Sequence, residues 1–209
     1  MTAIDVHAHI YPEKIAERAV GAVGEFYLVD MYGQGTASHL LAAKDRAPLT
    51  HFVVHSVATK PSAVASINDF IAEQCRLHPE LIGFMAMHQD LEDPEVEIER
   101  AVGLGLRGMK LHPDTQKVNM DDPRLMSIYE MIAGRLPLIV HTGDYRTDFS
   151  HPRRLKNILH TSPTSWWTPP TSAAGPSPRS ATTCCTTRTC SSTCPALWPS
   201  SATGAPASS

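Results

Sequence analysis

From residue 50 to residue 140, short apolar runs alternate with stretches whose apolar residues recur at three- and four-residue spacing. The runs at 51–57, 81–87, 106–112 and 136–140 are of strand length and carry β-branched and large apolar side chains. The intervening stretches predict helices, with stripes at Val64, Ile67 and Ile71 and again at Leu125, Ile128 and Ile132. Their ends are punctuated: Pro79 closes one helix, Asp93-Pro94 and Asp122-Pro123 open the next two, and Gly103, Gly105 and Gly134 stop them. A further helix is predicted from Pro152 to His160.

The same patterning makes residues 3–11 a first strand. A period of two sends Asp5, His7 and His9 to one face and Ile4, Val6, Ala8 and Ile10 to the other. Two imidazoles two positions apart on one face can converge on a single cation. A helix from Pro12 to Val23, with Ile15, Ala19 and Val23 on one stripe, follows, then a glycine-containing connection to about residue 50, long enough to overhang a binding site. Strand starts near 51, 81, 106 and 136 recur about every thirty residues, which is the βα unit of a parallel sheet. No phosphate-binding glycine fingerprint follows the first strand, and polar residues cap several strands instead. The predicted fold is therefore α/β, a partial (β/α)8 TIM-like barrel of about five βα units followed by an irregular tail. In such a barrel the chemistry sits at the C-terminal strand ends, where His9, His55, His88, His112 and His141 all fall.

Composition divides the chain in two. Across all 209 residues, 42% apolar content and a net charge of −3 fit an ordinary soluble globular protein that acts on a small molecule, with no sign of a nucleic-acid or membrane partner. The N-terminus has no secretory pattern and no apolar run is long enough to span a bilayer, so a cytoplasmic location is expected. Residues 1–160 form the barrel segment, and 161–209 are a low-complexity tail of Thr, Ser, Pro, Ala and Cys without a single acid, Lys or His. Cys184, Cys185, Cys190 and Cys194 lie in that tail, whereas Cys75 stands alone before it. So abrupt a border is expected of an out-of-frame translation that truncates the barrel. If one nucleotide was lost near codon 160, Trp166-Trp167-Thr168 reads Val-Asp in the other frame, and the codons of 169–176 are compatible with Ala-His-Leu-Gly-Gly-Trp-Ser. Five strands of eight would then leave the fifth with an unpaired edge.

The order of Asp5-Val6-His7-Ala8-His9, Gly108-Met109-Lys110-Leu111-His112-Pro113 and Leu138-Ile139-Val140-His141-Thr142-Gly143 resembles the amidohydrolase superfamily, in its amidohydrolase-related branch, over residues 1–160. The resemblance implies a metal-dependent hydrolase in which metal-activated water attacks a carbonyl-type carbon of a small substrate, anionic or neutral. A non-hydrolytic decarboxylase of the same branch is the close alternative, and an inactive truncated fragment is a third. It also implies one divalent metal, zinc as first choice with manganese or iron as alternatives, held by His7, His9, His141 and an Asp ending an eighth strand. This sequence supplies no counterpart of that Asp, nor, in the frame as read, of the family's sixth-strand His. Lys110 and His112 share a face of the fourth strand and are the catalytic candidates, Lys110 meeting a substrate carboxylate or stabilising charge, with a buried salt-bridge Lys as the equal alternative. Arg146, just beyond the fifth strand, is the candidate to meet an anionic substrate, with a solvated loop Arg as the default reading. His55 and His88 are expected to line the mouth or to hydrogen-bond, and Asp5 to orient the first strand or a ligand His.

Overall fold

The computed structural model describes residues 3–161 and 167–168. Strands β1 (Ala3–His9), β2 (Leu49–His55) and β3 (Leu81–Gly83) form one parallel sheet in that order. A second parallel sheet has the order β4 (Met85–Ala86), β5 (Met109–Leu111), β6 (Leu138–Val140) and β7 (Trp167–Thr168). Helices α1 (Glu13–Tyr27), α2 (Ala37–Leu41), α3 (Val64–Leu77), α4 (Pro94–Gly103), α5 (Pro113–Gln116), α6 (Pro123–Ile132) and α7 (Pro152–Thr161) lie between them in the chain. The molecule is thus a mixed α/β fold with parallel strands.

The predicted third strand, 81–87, is two strands. Phe84 lies between them and still donates its N–H to the Val54 carbonyl at 2.9 Å, while Met85 turns to the Gly108 carbonyl at 2.8 Å. One extended segment therefore ends the first sheet and begins the second. Gly83 and Gly108 make the crossing by lacking side chains. A Cβ on Gly108 would come within 2.5 Å of the Phe84 ring, and one on Gly83 within 2.6 Å of Leu106.

Helix boundaries follow local chemistry. His78 leaves the helical region at φ −132° because Pro79 comes next, so α3 stops at Leu77. Asp122 accepts the Arg124 N–H and caps α6, but Asp93, at the same place before α4, makes no side-chain cap. Helix α1 runs one turn past the predicted stop near Val23, to Tyr27, and closes on Leu28 in the left-handed region, whose N–H returns to the Gly24 carbonyl. The long connection after it contains α2, whose first turn is capped by Thr36.

Alternation along the strands separates two layers. Phe52, Val54, Met85, Met109, Leu111, Leu138 and Val140 pack with Ile71, Ile98, Leu125, Ile128, Tyr129 and Ile132 of the helices in the main core. On the other side of the same strands, Val53, Phe84 and Ile139 form a smaller apolar cluster. Lys110, flanked by Met109 and Leu111, points to that second side, as His7 and His9 do on β1. The oily face of β1 is only half covered: Ala8 and Ile10 are buried, whereas Ile4 and Val6 are 46% and 50% exposed, because no described element packs over that end.

The fifth predicted strand, here β6, is not left with a bare edge. Leu138 and Ile139 pair with Trp167 and Thr168 of β7, since an unpaired edge offers backbone donors and acceptors to any neighbouring extended segment, and Trp and Thr favour that conformation. The proposed low-complexity, out-of-frame character of 161–209 otherwise concerns residues outside the described ones, the four clustered cysteines included. No helix among the described residues is long and apolar enough to cross a membrane.

Candidate metal centre

The inner side of the strands gathers nitrogen donors at the strand ends. Parallel pairing sets His9 opposite His55, so the C-terminal ends of β1 and β2 stand level. His7, His9 and His55 each offer a ring nitrogen, all within 4.8 Å of one another. The Nε2 atoms of His7 and His9 are 3.3 Å apart. That is a hydrogen-bond length, and it is also about the spacing of two nitrogens bound at ~2.0–2.1 Å to one tetrahedral zinc. His55 packs edge-on against both rings, at centroid distances of 4.8 and 4.4 Å. Neither nitrogen of its fully buried ring has a hydrogen-bond partner among the described residues, and His9 Nδ1 has none either. Unpartnered buried nitrogens are costly, and they are the donors a borderline divalent cation takes.

The second sheet adds three groups. Lys110 is 1% exposed, and its Nζ lies 3.2 Å from His7 Nε2. His112 and His141 stack face to face, 4.0 Å between centroids with 8° between planes. The phenol of Tyr27, at the end of α1, contacts both: 2.6 Å to His112 Nε2 and 3.2 Å to His141 Nε2. His112 is also the N-cap of α5, its Nδ1 accepting the Thr115 N–H at 3.4 Å. With Nδ1 accepting, a neutral His112 carries its proton on Nε2 and donates it to the Tyr27 oxygen. The Tyr27 O–H is then directed to His141 Nε2.

Electrostatics keep these rings neutral. Burial, followed by the charge of Lys110, holds His7 down to about 4 and His141 to about 4, although Asp144 works the other way on His141. Burial and then His141 push His112 to about 2, and His9 and His55 are driven well below the ordinary value by burial first. Burial alone lowers Lys110 to about 7. Burial raises the Tyr27 phenol, helped by Asp144 and Asp114, so it remains a hydroxyl. Neutral imidazoles with free lone pairs are what a metal requires, and no carboxylate belongs to the three-histidine group. The residues fit a borderline cation with nitrogen donors.

The structure therefore brings His7 and His9 together, sets Lys110 against them, and places His112 and His141 against one another under Tyr27. Arg146 does not point freely outward: it makes three contacts within 3.0 Å to the Asp144 carboxylate and lies over the Phe26 and Tyr27 rings at 4.6 and 5.3 Å. Asp5 accepts the backbone N–H of His7 at 2.9 Å, and so fixes the strand. His88 accepts the Asp90 N–H, in the hydrogen-bonding role expected of it. His55 departs from expectation, being buried beside His7 and His9 with no hydrogen bond; the signal was its position at the end of the strand that follows β1. Tyr27 gave no signal, because α1 was expected to stop a turn earlier. Gln116, also missed, ties strand ends together by donating to the Ala58 and Met87 carbonyls.

A family model described as amidohydrolase matches residues 4–178, running past the border at 160. No match was found among curated proteins. A Staphylococcus aureus protein assigned as an amidohydrolase superposes with a TM-score of 0.56 at 14% identity, covering 81% of this chain and 67% of that one. A 5-carboxyvanillate decarboxylase from Novosphingobium aromaticivorans, holding manganese and 3-methoxy-4-hydroxy-5-nitrobenzoic acid, superposes with a TM-score of 0.50 at 16% identity, covering 75% and 55%. The chain thus spans about two thirds and about half of these two structures.

Proposed function

The chain belongs to the amidohydrolase family, and from that premise we propose that it forms the N-terminal part, residues 1–160, of a (β/α)8 barrel with metal-dependent hydrolase chemistry. The observation that carries this is the convergence of His7 and His9, their Nε2 atoms 3.3 Å apart among neutral imidazoles. His7, His9 and His141 would hold the cation, zinc first; His55, rather than His141, is the third histidine whose ring nitrogen already lies within 4.8 Å of those of His7 and His9. When bound, a divalent cation supplies Lewis acidity, polarising a carbonyl oxygen and lowering the pKa of a water to about 7.

The remaining work falls to the chain's own side chains. Lys110, with a pKa near 7, holds or releases a proton at Nζ around neutrality and meets a carboxylate or a developing negative charge. His112 Nε2–H donates to an oxygen at the place the Tyr27 hydroxyl now fills. Arg146, oriented by Asp144, would meet an anionic small molecule at the mouth by hydrogen bonding. Val53, Phe84 and Ile139 line the inner side as an apolar wall that keeps water from these groups.

The likeness to a manganese-holding decarboxylase supports the second reading, in which the same cation orients an aromatic acid that loses carbon dioxide. The test is to purify the full-length chain, measure bound metal, and assay it with zinc and with manganese. Cyclic amides and lactones report hydrolysis, and hydroxybenzoates report carbon dioxide release. Turnover of the first group supports the hydrolase. Release of carbon dioxide alone replaces it with the decarboxylase. Failure to retain any metal, with no turnover, overturns both and leaves an inactive fragment.

A further inference from the structure

Among the proposed ligands, His141 is the one whose coordinating nitrogen is met by a hydroxyl; His7 Nε2 lies instead beside Lys110 Nζ, at 3.2 Å. His141 Nε2 is 3.2 Å from the Tyr27 hydroxyl, whose oxygen is itself 2.6 Å from His112 Nε2. The Thr115 N–H on His112 Nδ1 gives this chain a direction, from His112 Nε2–H to the Tyr27 oxygen and from the Tyr27 O–H to the His141 lone pair. The Tyr27 ring is held in place from outside the imidazole group: Arg146 lies over it at 5.3 Å and over Phe26 at 4.6 Å, and Asp144 fixes that guanidinium. Among the described residues, no hydroxyl meets His7, His9 or His55 in this way: the Nε2 atoms of His7 and His9 face one another, His7 Nε2 also faces Lys110 Nζ, and neither nitrogen of His55 has a hydrogen-bond partner.

We propose that Tyr27 is a positioning residue that governs when His141 becomes a ligand: its O–H occupies the Nε2 lone pair, and a cation recruiting His141 to His7 and His9 displaces that hydrogen bond. This rests on the metal-centre reading above. A bare site thereby keeps His141 oriented by its stack on His112 and by Tyr27, and loading exchanges one hydrogen bond for one coordinate bond. The freed hydroxyl gives up its place beside His112 Nε2–H to a substrate oxygen.

The experiment is a zinc titration by calorimetry on the full-length chain, comparing wild type with Tyr27→Phe, which keeps the ring beneath Arg146 and removes only the hydroxyl. Zinc affinity is expected to rise about fivefold in Y27F, the equivalent of one ordinary hydrogen bond no longer broken. His141→Ala is expected to weaken wild-type binding and to erase the difference made by Y27F. Equal affinity in wild type and Y27F overturns the gating role and leaves the metal centre standing. No binding in either overturns both.

If Y27F does not fold, proton NMR of the unmutated chain gives the same decision. The Tyr27 hydroxyl proton, protected in the metal-free protein, is expected to lose its contact with the His141 ring at zinc saturation. Persistence of that contact overturns the proposal.

Discussion

At the scale of single residues, the imidazoles tie stability to acidity. His7 and His141 are held to about 4, against an ordinary 6.5, by burial before anything else. Between those values the unfolded chain binds protons that the folded chain refuses, so the stability these two rings contribute is full above pH 6.5 and is lost as pH falls towards 4. Lys110, lowered from 10.5 to about 7, works the same way in another window: stability rises as pH climbs from 7 to 10.5. A urea midpoint that drops between pH 6.5 and 4.5, with a shallower drop in His7→Gln, is the expected result; a flat midpoint would contradict the burial of these rings. The sequence made His7, His9, Lys110, His112 and His141 legible as candidates, since each lies in a strand or just past its end beside apolar residues. It left Tyr27 unread and gave His55 a mouth-lining or hydrogen-bonding role. Tyr27 reaches the site only because α1 winds through Gly24 for another turn, and His55 joins it through a parallel register that one strand alone does not reveal.

Among the elements, the contact of α3 with β3 depends on a missing side chain. A Cβ at Gly83 would meet Leu106 Cδ2 at 2.6 Å, Cys75 Sγ at 2.8 Å and Ile71 Cγ2 at 2.9 Å, so three neighbours from both sides must yield together. Gly83→Ala is expected to destabilise the fold by about 1–3 kcal/mol, read as a lower denaturant midpoint with little change in zinc affinity. The helices themselves were readable: the stripes at Val64 and Ile71 and at Leu125, Ile128 and Ile132 are all buried. What pattern could not give was the division of 81–87 into β3 and β4. An apolar run reads alike whether one sheet or two claim it, and the choice is made by the two carbonyls, of Val54 and Gly108, that neighbouring amides find.

On the scale of the whole molecule, a ligand that binds only the folded chain must raise its melting temperature. Zinc at about a hundred times its dissociation constant adds roughly 2.7 kcal/mol. For a chain of this size that amounts to a rise of roughly 5–10 °C. A thermal scan with and without zinc checks this, with magnesium, which prefers oxygen donors, expected to give little. The family and the parallel α/β order could be read from three spaced motifs and a thirty-residue rhythm. The pairing of β6 with β7 could not, because it uses residues whose composition suggested no structure at all. The crossing at Phe84 bears on what zinc would do mechanically. His7, His9 and His55 belong to one side of that seam, Lys110, His112 and His141 to the other, and the seam is bridged at Lys110 and His7. An ion shared by His7, His9 and His141 would act as a rivet through both plates, so the atoms that perform the reaction would also keep the two halves from sliding apart.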